Sequence, residues 1–276
     1  MTAHRITTHI RPPTRFAALD PRELWQFRDL FLAFAGRDVR LRYRQTLLGA
    51  SWVVLQPLLG AAIFAFVFGR VAGLSSEGTP YLVFAFAGLT VWNVFSTTVT
   101  RASGSLIANA GMISKIYFPR ALLPLSVSAA AALDALVSLA VLGAMLALSG
   151  VHVGFAALLF PLWMAVAALC GLGVGLGLSA LAVRYRDVQY IVPVATQLLL
   201  FITPVAYGTN SIPESARTFV ELNPMTGVLE GFRWSVLGGA TPSALAVGTA
   251  LIGASILLIV GFLVFKAMES NFADVI

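Results

Sequence analysis

Six stretches of nearly unbroken apolar residues divide this chain: Leu47–Gly69, Pro80–Thr100, Ala121–Ser149, Phe155–Val183, Val188–Tyr207 and Ala244–Lys266. Each is 20 to 29 residues long, and polar or Gly/Pro-rich breaks separate them. A helix needs about 20 apolar residues to cross the hydrocarbon core of a bilayer, so the pattern predicts an all-α membrane protein with six spans. Ahead of the first run, Leu19-Asp20-Pro21-Arg22-Glu23-Leu24 reads as a helix start, with Asp20 as N-cap, Pro21 in the first turn, Glu23 reaching back and Leu19 stapled to Leu24. Leu24, Phe27, Phe31 and Phe34 then recur at helical spacing opposite Arg22, Glu23, Gln26 and Asp29. That spacing predicts an amphipathic helix lying at the interface, which serves equally as a membrane anchor or as a partner-docking surface.

Between the fifth and sixth runs, Gly208–Ser243 is too long for a tight turn, and its apolar part, Met225–Leu237, is too short to cross. A re-entrant pair of short outer helices starting at Pro213 and Pro224 is expected, with Glu230 and Arg233 three apart and able to pair on one face. A solvated outer loop is the alternative. The chain is thus expected to comprise a disordered cytoplasmic tail (1–18), an interface helix with its connector (19–46) and a single six-span domain (47–276).

Composition sharpens this picture. The chain is 58% hydrophobic and 11% charged, with mean hydropathy +0.87, against roughly 45–50% and about 25% in soluble domains. Little is left for an aqueous catalytic domain. The net charge of +6 raises the question of nucleic acid, but the basic residues gather at the ends of the apolar runs. With both termini in the cytoplasm, the inner segments hold the nine arginines up to Arg44 and then Arg101, Lys115, Arg120, Arg184, Arg186 and Lys266, fifteen of the 18 basic residues. The outer segments keep Arg70, Arg217 and Arg233. That asymmetry is what the positive-inside rule expects, and it points to a membrane rather than to nucleic acid. The stretch to Pro13 has no apolar core and is not expected to be a secretory signal.

Candidate chemistry is sparse. Cys170, the single cysteine, sits in an apolar run, which excludes a disulfide framework and a thiolate zinc cluster. His4, His9 and His152 have no metal-ligand spacing, so no metal site is expected. Neither lysine, Lys115 nor Lys266, follows a glycine, so there is no Gly-Lys-Ser/Thr phosphate loop and any ATP must bind another chain. Gly171, Gly173, Gly175 and Gly177 lie inside a span and are spaced four apart in two pairs, as in small-residue contacts between helices. Asp134 is the one ionisable residue deep in a span; it either faces a water-filled path or is satisfied by a neighbouring serine.

Three motifs resemble a known family. They are Arg37-Asp38-Val39-Arg40-Leu41-Arg42-Tyr43-Arg44-Gln45-Thr46-Leu47-Leu48-Gly49-Ala50-Ser51-Trp52 followed by Gln56-Pro57-Leu58, then Lys115-Ile116-Tyr117-Phe118-Pro119-Arg120, and Asn223-Pro224-Met225-Thr226-Gly227-Val228-Leu229-Glu230-Gly231-Phe232-Arg233. In this order they resemble the type-2 ABC permeases that export O-antigen, capsule or teichoic-acid polysaccharides. The resemblance implies a transmembrane subunit in a bacterial inner or plasma membrane, a homodimer with two copies of a separate ATPase, and a lipid-linked polysaccharide as substrate. ATP and Mg would be bound by that ATPase, and no cofactor by this chain. It further implies ATPase coupling through Leu24, Phe27, Phe31, Asn109, Lys115, Tyr117, Arg120, Arg184, Arg186 and Asp187. An outer gate would carry Asn223, Pro224, Glu230 and Arg233. The tail before Arg15 and Asp134 fall outside these motifs.

Within the second run, a turn of about 100° per residue places Tyr81, Phe84, Trp92 and Phe95 in one narrow sector. Asn93 and Thr97 give the same run a polar edge. Sugar rings present apolar C–H faces, and many weak contacts allow conduction without trapping, so the stripe is expected to line the dimer's channel; lipid contact or an interfacial belt is the alternative for Tyr81 and Phe84. Three rivals remain. A permease for small lipids or drugs would share the scaffold. A membrane-embedded enzyme acting on lipid-linked sugars would need paired carboxylates or a histidine constellation, yet Glu77, Glu214, Glu221 and Glu230 are spread out. A secondary transporter would show repeated halves, and none is evident.

Overall fold

The computed structural model describes residues 25–43, 51–76, 78–151, 153–270 and 272, and among these every regular element is helical. The expected tail, the helix start at Asp20, and Leu24, Glu77 and His152 lie outside the described residues. In chain order the elements are α1 (Arg28–Tyr43), α2 (Ser51–Phe64) running on into a π-helix (Ala65–Val71), α3 (Tyr81–Ala108), α4 (Ala110–Ile113) and α5 (Leu122–Ser149). A 3-10 turn (Phe155–Leu159) leads into α6 (Phe160–Arg184), followed by α7 (Val188–Ile202), a 3-10 turn (Thr209–Ser211), α8 (Glu214–Glu221), α9 (Pro224–Leu237) and α10 (Ala244–Glu269).

Among the described residues, five helices are long and apolar enough to cross a bilayer: Ser51–Val71, Tyr81–Ala108, Leu122–Ser149, Phe155–Arg184 and Ala244–Glu269. The fifth expected run behaves differently, because α7 has only 15 residues, about 22 Å at 1.5 Å per residue. It stops where Thr203 precedes Pro204. A residue before proline is pushed out of the α region, and Thr203 is accordingly extended, with φ −83° and ψ 139°. The second run departs the other way, since α3 continues beyond Thr100 to Ala108 and carries Arg101 on the helix rather than in a loop.

Helix α3 is the hub. It packs against α2, α5, α6, α7 and α9, and 78% of its apolar window is buried, against 17% for α2 and for α10. The glycines of α6 make close packing possible on two sides. A Cβ on Gly171 would lie 2.8 Å from the Phe95 carbonyl oxygen, and one on Gly175 would press on Ala102, both on α3. On the opposite side a Cβ on Gly173 would lie 2.5 Å from the Leu257–Leu258 backbone of α10. Only glycine lets these backbones approach so nearly.

At the other end of the core, α1 lays its apolar side on the protein itself. Phe34 is buried, Phe27, Leu30 and Phe31 are half-buried, and all four pack in a cluster with Leu106, Ile113, Phe118 and Leu122. The Phe34 and Phe118 rings meet at 5.7 Å.

Candidate functional site

Helices α3, α6 and α10 run parallel and α5 antiparallel to them, so Asn109, Leu122, Arg184 and Glu269 share one end of the bundle. The segment after α4 projects from this end. Ile113 and Phe118 are buried and fix its two roots, while Lys115, Ile116 and Tyr117 between them are exposed, Tyr117 by 63%. Arg184, Tyr185, Arg186 and Asp187 form a second exposed turn at the same end, with the Arg184 guanidinium 5.4 Å from the Tyr185 ring centroid. Arg120 does something else. Its Nη1 donates to the Glu269 carbonyl, and the guanidinium lies 5.8 Å from the Phe272 ring, so it ties the start of α5 to the end of α10. Asn109 is likewise engaged: its Oδ1 accepts from Arg37 Nη1 at 2.8 Å, and its Nδ2 donates to the Ser105 carbonyl. Arg37 therefore belongs with these residues, although sequence reasoning passed over it within its own arginine-rich motif.

At the opposite end, Asn223 caps α9 by accepting from the Met225 N–H at 3.0 Å, and its Nδ2 donates to Thr203 Oγ1 at 2.9 Å. Pro224 fills the first helical position, where a missing N–H costs nothing. The buried Arg233 reaches across to the end of α7. Its Nη1 donates to the carbonyls of Pro204, at 2.8 Å, and Tyr207, and its Nη2 to that of Val205. These bonds satisfy carbonyls of the turn that follows α7, which is not helical. Thr209 donates its hydroxyl to Glu230, and both line a cavity of about 150 Å3 together with Arg217, Glu221 and Arg233.

The aromatic stripe expected to line the channel is largely buried within one copy. Phe84, Trp92 and Phe95 are only 2%, 4% and 6% exposed and belong to the protomer's own core, with Phe84 under Arg233 and Trp92 against Phe95 at 5.2 Å. Most of each of these three rings is covered by packing within one copy, while Phe84 touches the outer cavity and one edge of Trp92 reaches a groove. Tyr81 is half-buried and donates its hydroxyl to the Ala206 carbonyl. The polar edge of α3 is the open side. Asn93 and Ser96 line a groove of about 330 Å3 shared with Gln56, Gln197 and one edge of Trp92, and with Thr97 they line a cavity beside it of about 150 Å3 shared with Gln56, Asp134 and Ser138. Among the described residues, no three His, Cys, Asp or Glu side chains come together as metal ligands would.

The described residues thus combine two exposed turns at one end, a capped and buried short helix at the other, and a polar groove between apolar helices. Residues 29–237 match the profile of the ABC-2 type transporter family. The chain belongs to that family. Among its relatives, it is 28% identical over 249 residues to the O-antigen export system permease protein RfbA of Klebsiella pneumoniae, covering 90% of this chain and 95% of that one. A protein of the same description from Myxococcus xanthus is 28% identical over 255 residues, with 92% and 97% covered. The polysialic acid transport protein KpsM of Escherichia coli is 23% identical over 240 residues, with 84% and 91% covered. As an ABC-2 family member the chain is the integral membrane subunit of a transporter and is not itself the enzyme; ATP hydrolysis belongs to a separate subunit.

Proposed function

We propose that this chain is the permease of an exporter that carries a lipid-linked polysaccharide outward across a bacterial inner or plasma membrane. Its near full-length similarity to permeases described as exporting O-antigen and transporting polysialic acid carries this reading. Two copies of the chain work with two copies of the ATPase, which binds ATP and Mg. Both termini face the cytoplasm, as the basic residues argue, and α1 lies along the inner surface. Helix α7 with the turn behind it makes the sixth crossing, while α8 and α9 form the re-entrant outer gate.

In this arrangement the exposed turns at Lys115–Tyr117 and Arg184–Asp187, together with the outward side of α1, receive the ATPase. Closure of the ATPase on ATP pushes on α4 and on the α6–α7 turn. The polymer follows the polar edge of α3. Asn93, Ser96, Thr97, Gln56 and Gln197 offer donors and acceptors that exchange readily among sugar hydroxyls, and an unpaired polar surface in hydrocarbon is costly, so a water-filled path shared by two copies accounts for it. The decisive experiment removes the gene and restores it on a plasmid. Loss of surface polysaccharide with polymer accumulating inside, reversed by the plasmid, is the expected result. Unchanged surface polymer with new sensitivity to lipophilic compounds would favour a small-molecule permease instead.

A further inference from the structure

An opening at the inner end lies between α1, α3 and α5, a cavity of about 590 Å3. Its two sides differ in kind. Arg37 and Asp38 from α1 and Arg101 and Asn109 from α3 make one side polar, while Leu123, Val127 and Ala130 from α5 make the other apolar. Arg37 is held in place: its Nη1 donates to Asn109, its Nε and Nη2 donate to Asp38 Oδ1 at 3.1 and 3.0 Å, and it sits 5.4 Å from the Phe34 ring centroid. Those bonds use three of the five N–H donors of a guanidinium, so the fork is oriented with donors to spare. Arg101 brings a second guanidinium to the same wall. A planar fork fixed in advance suits the oxygens of a phosphate.

The height of the cavity decides the rest. Arg101 to Asn109 form the last two turns of a long apolar span, and Leu123 to Ala130 the first two turns of another. The cavity therefore straddles the level where headgroups give way to hydrocarbon. Gly104 stands in its wall, and a Cβ added there would meet nothing within 4 Å, so this helix face looks onto open space. We propose that the cavity binds an anionic phospholipid, its phosphate on Arg37 and Arg101 and the first methylenes of its chain on Leu123, Val127 and Ala130. A lipid there joins α1 to α3 and α5, so the lipid supply sets how firmly the amino-terminal helix is seated. The inference rests on the chain's place in a membrane and not on which polymer it exports.

The test uses the purified full chain in an uncharged detergent with a fluorescent short-chain phosphatidic acid, displaced in turn by dioctanoyl phosphatidic acid, dioctanoylglycerol and inorganic phosphate. Dioctanoyl phosphatidic acid should displace the probe at concentrations at least tenfold below the other two. Arg37→Gln combined with Arg101→Gln should weaken binding at least tenfold. Gly104→Leu should do the same while remaining monodisperse on gel filtration, because its side chain enters empty space; it decides the matter if loss of Arg37 loosens α1. Inorganic phosphate acting as well as the lipid would mean a free-anion site, and dioctanoylglycerol acting as well would mean apolar adsorption. Either result, or undiminished binding by folded Gly104→Leu, overturns the proposal.

Discussion

The guanidinium carbon of Arg233 lies 3.8 Å from the centroid of the Phe84 ring. Between them they join α9 to α3, and the bonds of Arg233 to three carbonyls bring in the end of α7 as well. Gly88 makes room for this, since a Cβ there would collide with the Arg233 guanidinium and lie 2.7 Å from the Val205 carbonyl oxygen. Arg233→Lys keeps the charge but loses the planar fork and the stacking. We expect it to cost about 2 kcal/mol, in line with hydrogen bonds to charged groups, and Phe84→Leu about 1–2 kcal/mol. In a double-mutant cycle read by thermal unfolding in detergent, the two losses should not add; strict additivity would mean the ring contact contributes nothing.

The two sides of α3 make opposite predictions. Trp92→Ala with Phe95→Ala removes core rings and should cost several kcal/mol, about 3–5 for each large aromatic, and so lower the yield of folded protein. Asn93→Leu with Gln197→Leu should leave folding intact and reduce polysaccharide export several-fold. Normal export from the second pair, in cells holding normal amounts of the permease, would remove the polar groove from the path.

Helix packing by glycine is tested by comparison within the chain. Gly173→Ala forces the α6 and α10 backbones apart and should cost about 1–3 kcal/mol, as overpacking does. Gly248→Ala, whose Cβ meets nothing within 4 Å, should be neutral or slightly stabilising, because alanine favours the helix. Equal melting temperatures for the two variants would contradict the packing account.

Orientation is open to labelling. Ser215 and Ser114 are both exposed, at opposite ends of the bundle. An impermeant thiol reagent should modify Ser215→Cys in intact cells and Ser114→Cys only after permeabilisation, in a Cys170→Ala background. The reverse pattern would invert the topology.

Coupling calls for a split readout. Lys115→Ala with Tyr117→Ala should leave the permease assembled with its ATPase, because neither side chain is buried, yet reduce export at least tenfold. Full export by the assembled variant would release this turn from the coupling role.

Much of the fold was legible because a bilayer punishes polar residues, and apolar runs therefore mark helices. The two errors of extent have one cause each. Helix α3 outlasts its apolar run because Thr100, Arg101, Gly104 and Asn109 lie along the open cavity between α1, α3 and α5, where polar residues continue the helix and hydropathy is no guide to its length. Helix α7 ends inside its apolar run because Thr203-Pro204 breaks it, and Val205 and Ala206 are apolar for burial, not for crossing. Periodicity placed Phe84, Trp92 and Phe95 on one face but carries no information about what that face meets. Arg233 was read beside Glu230, three residues away; the carbonyls it holds are 26 to 29 residues back, a distance at which local pattern is silent.

Backbone laid on backbone along both sides of α6 has a mechanical meaning. Side chains in an ordinary interface absorb a displacement by changing rotamer, whereas Gly171 and Gly175 on α3 and Gly173 on α10 leave almost nothing between the helices that can yield. The three helices thus form a stiff plank. If the ATPase docks as proposed, a push at Arg184 would travel along that plank, and the bending would fall to the thinly packed α2 and α7.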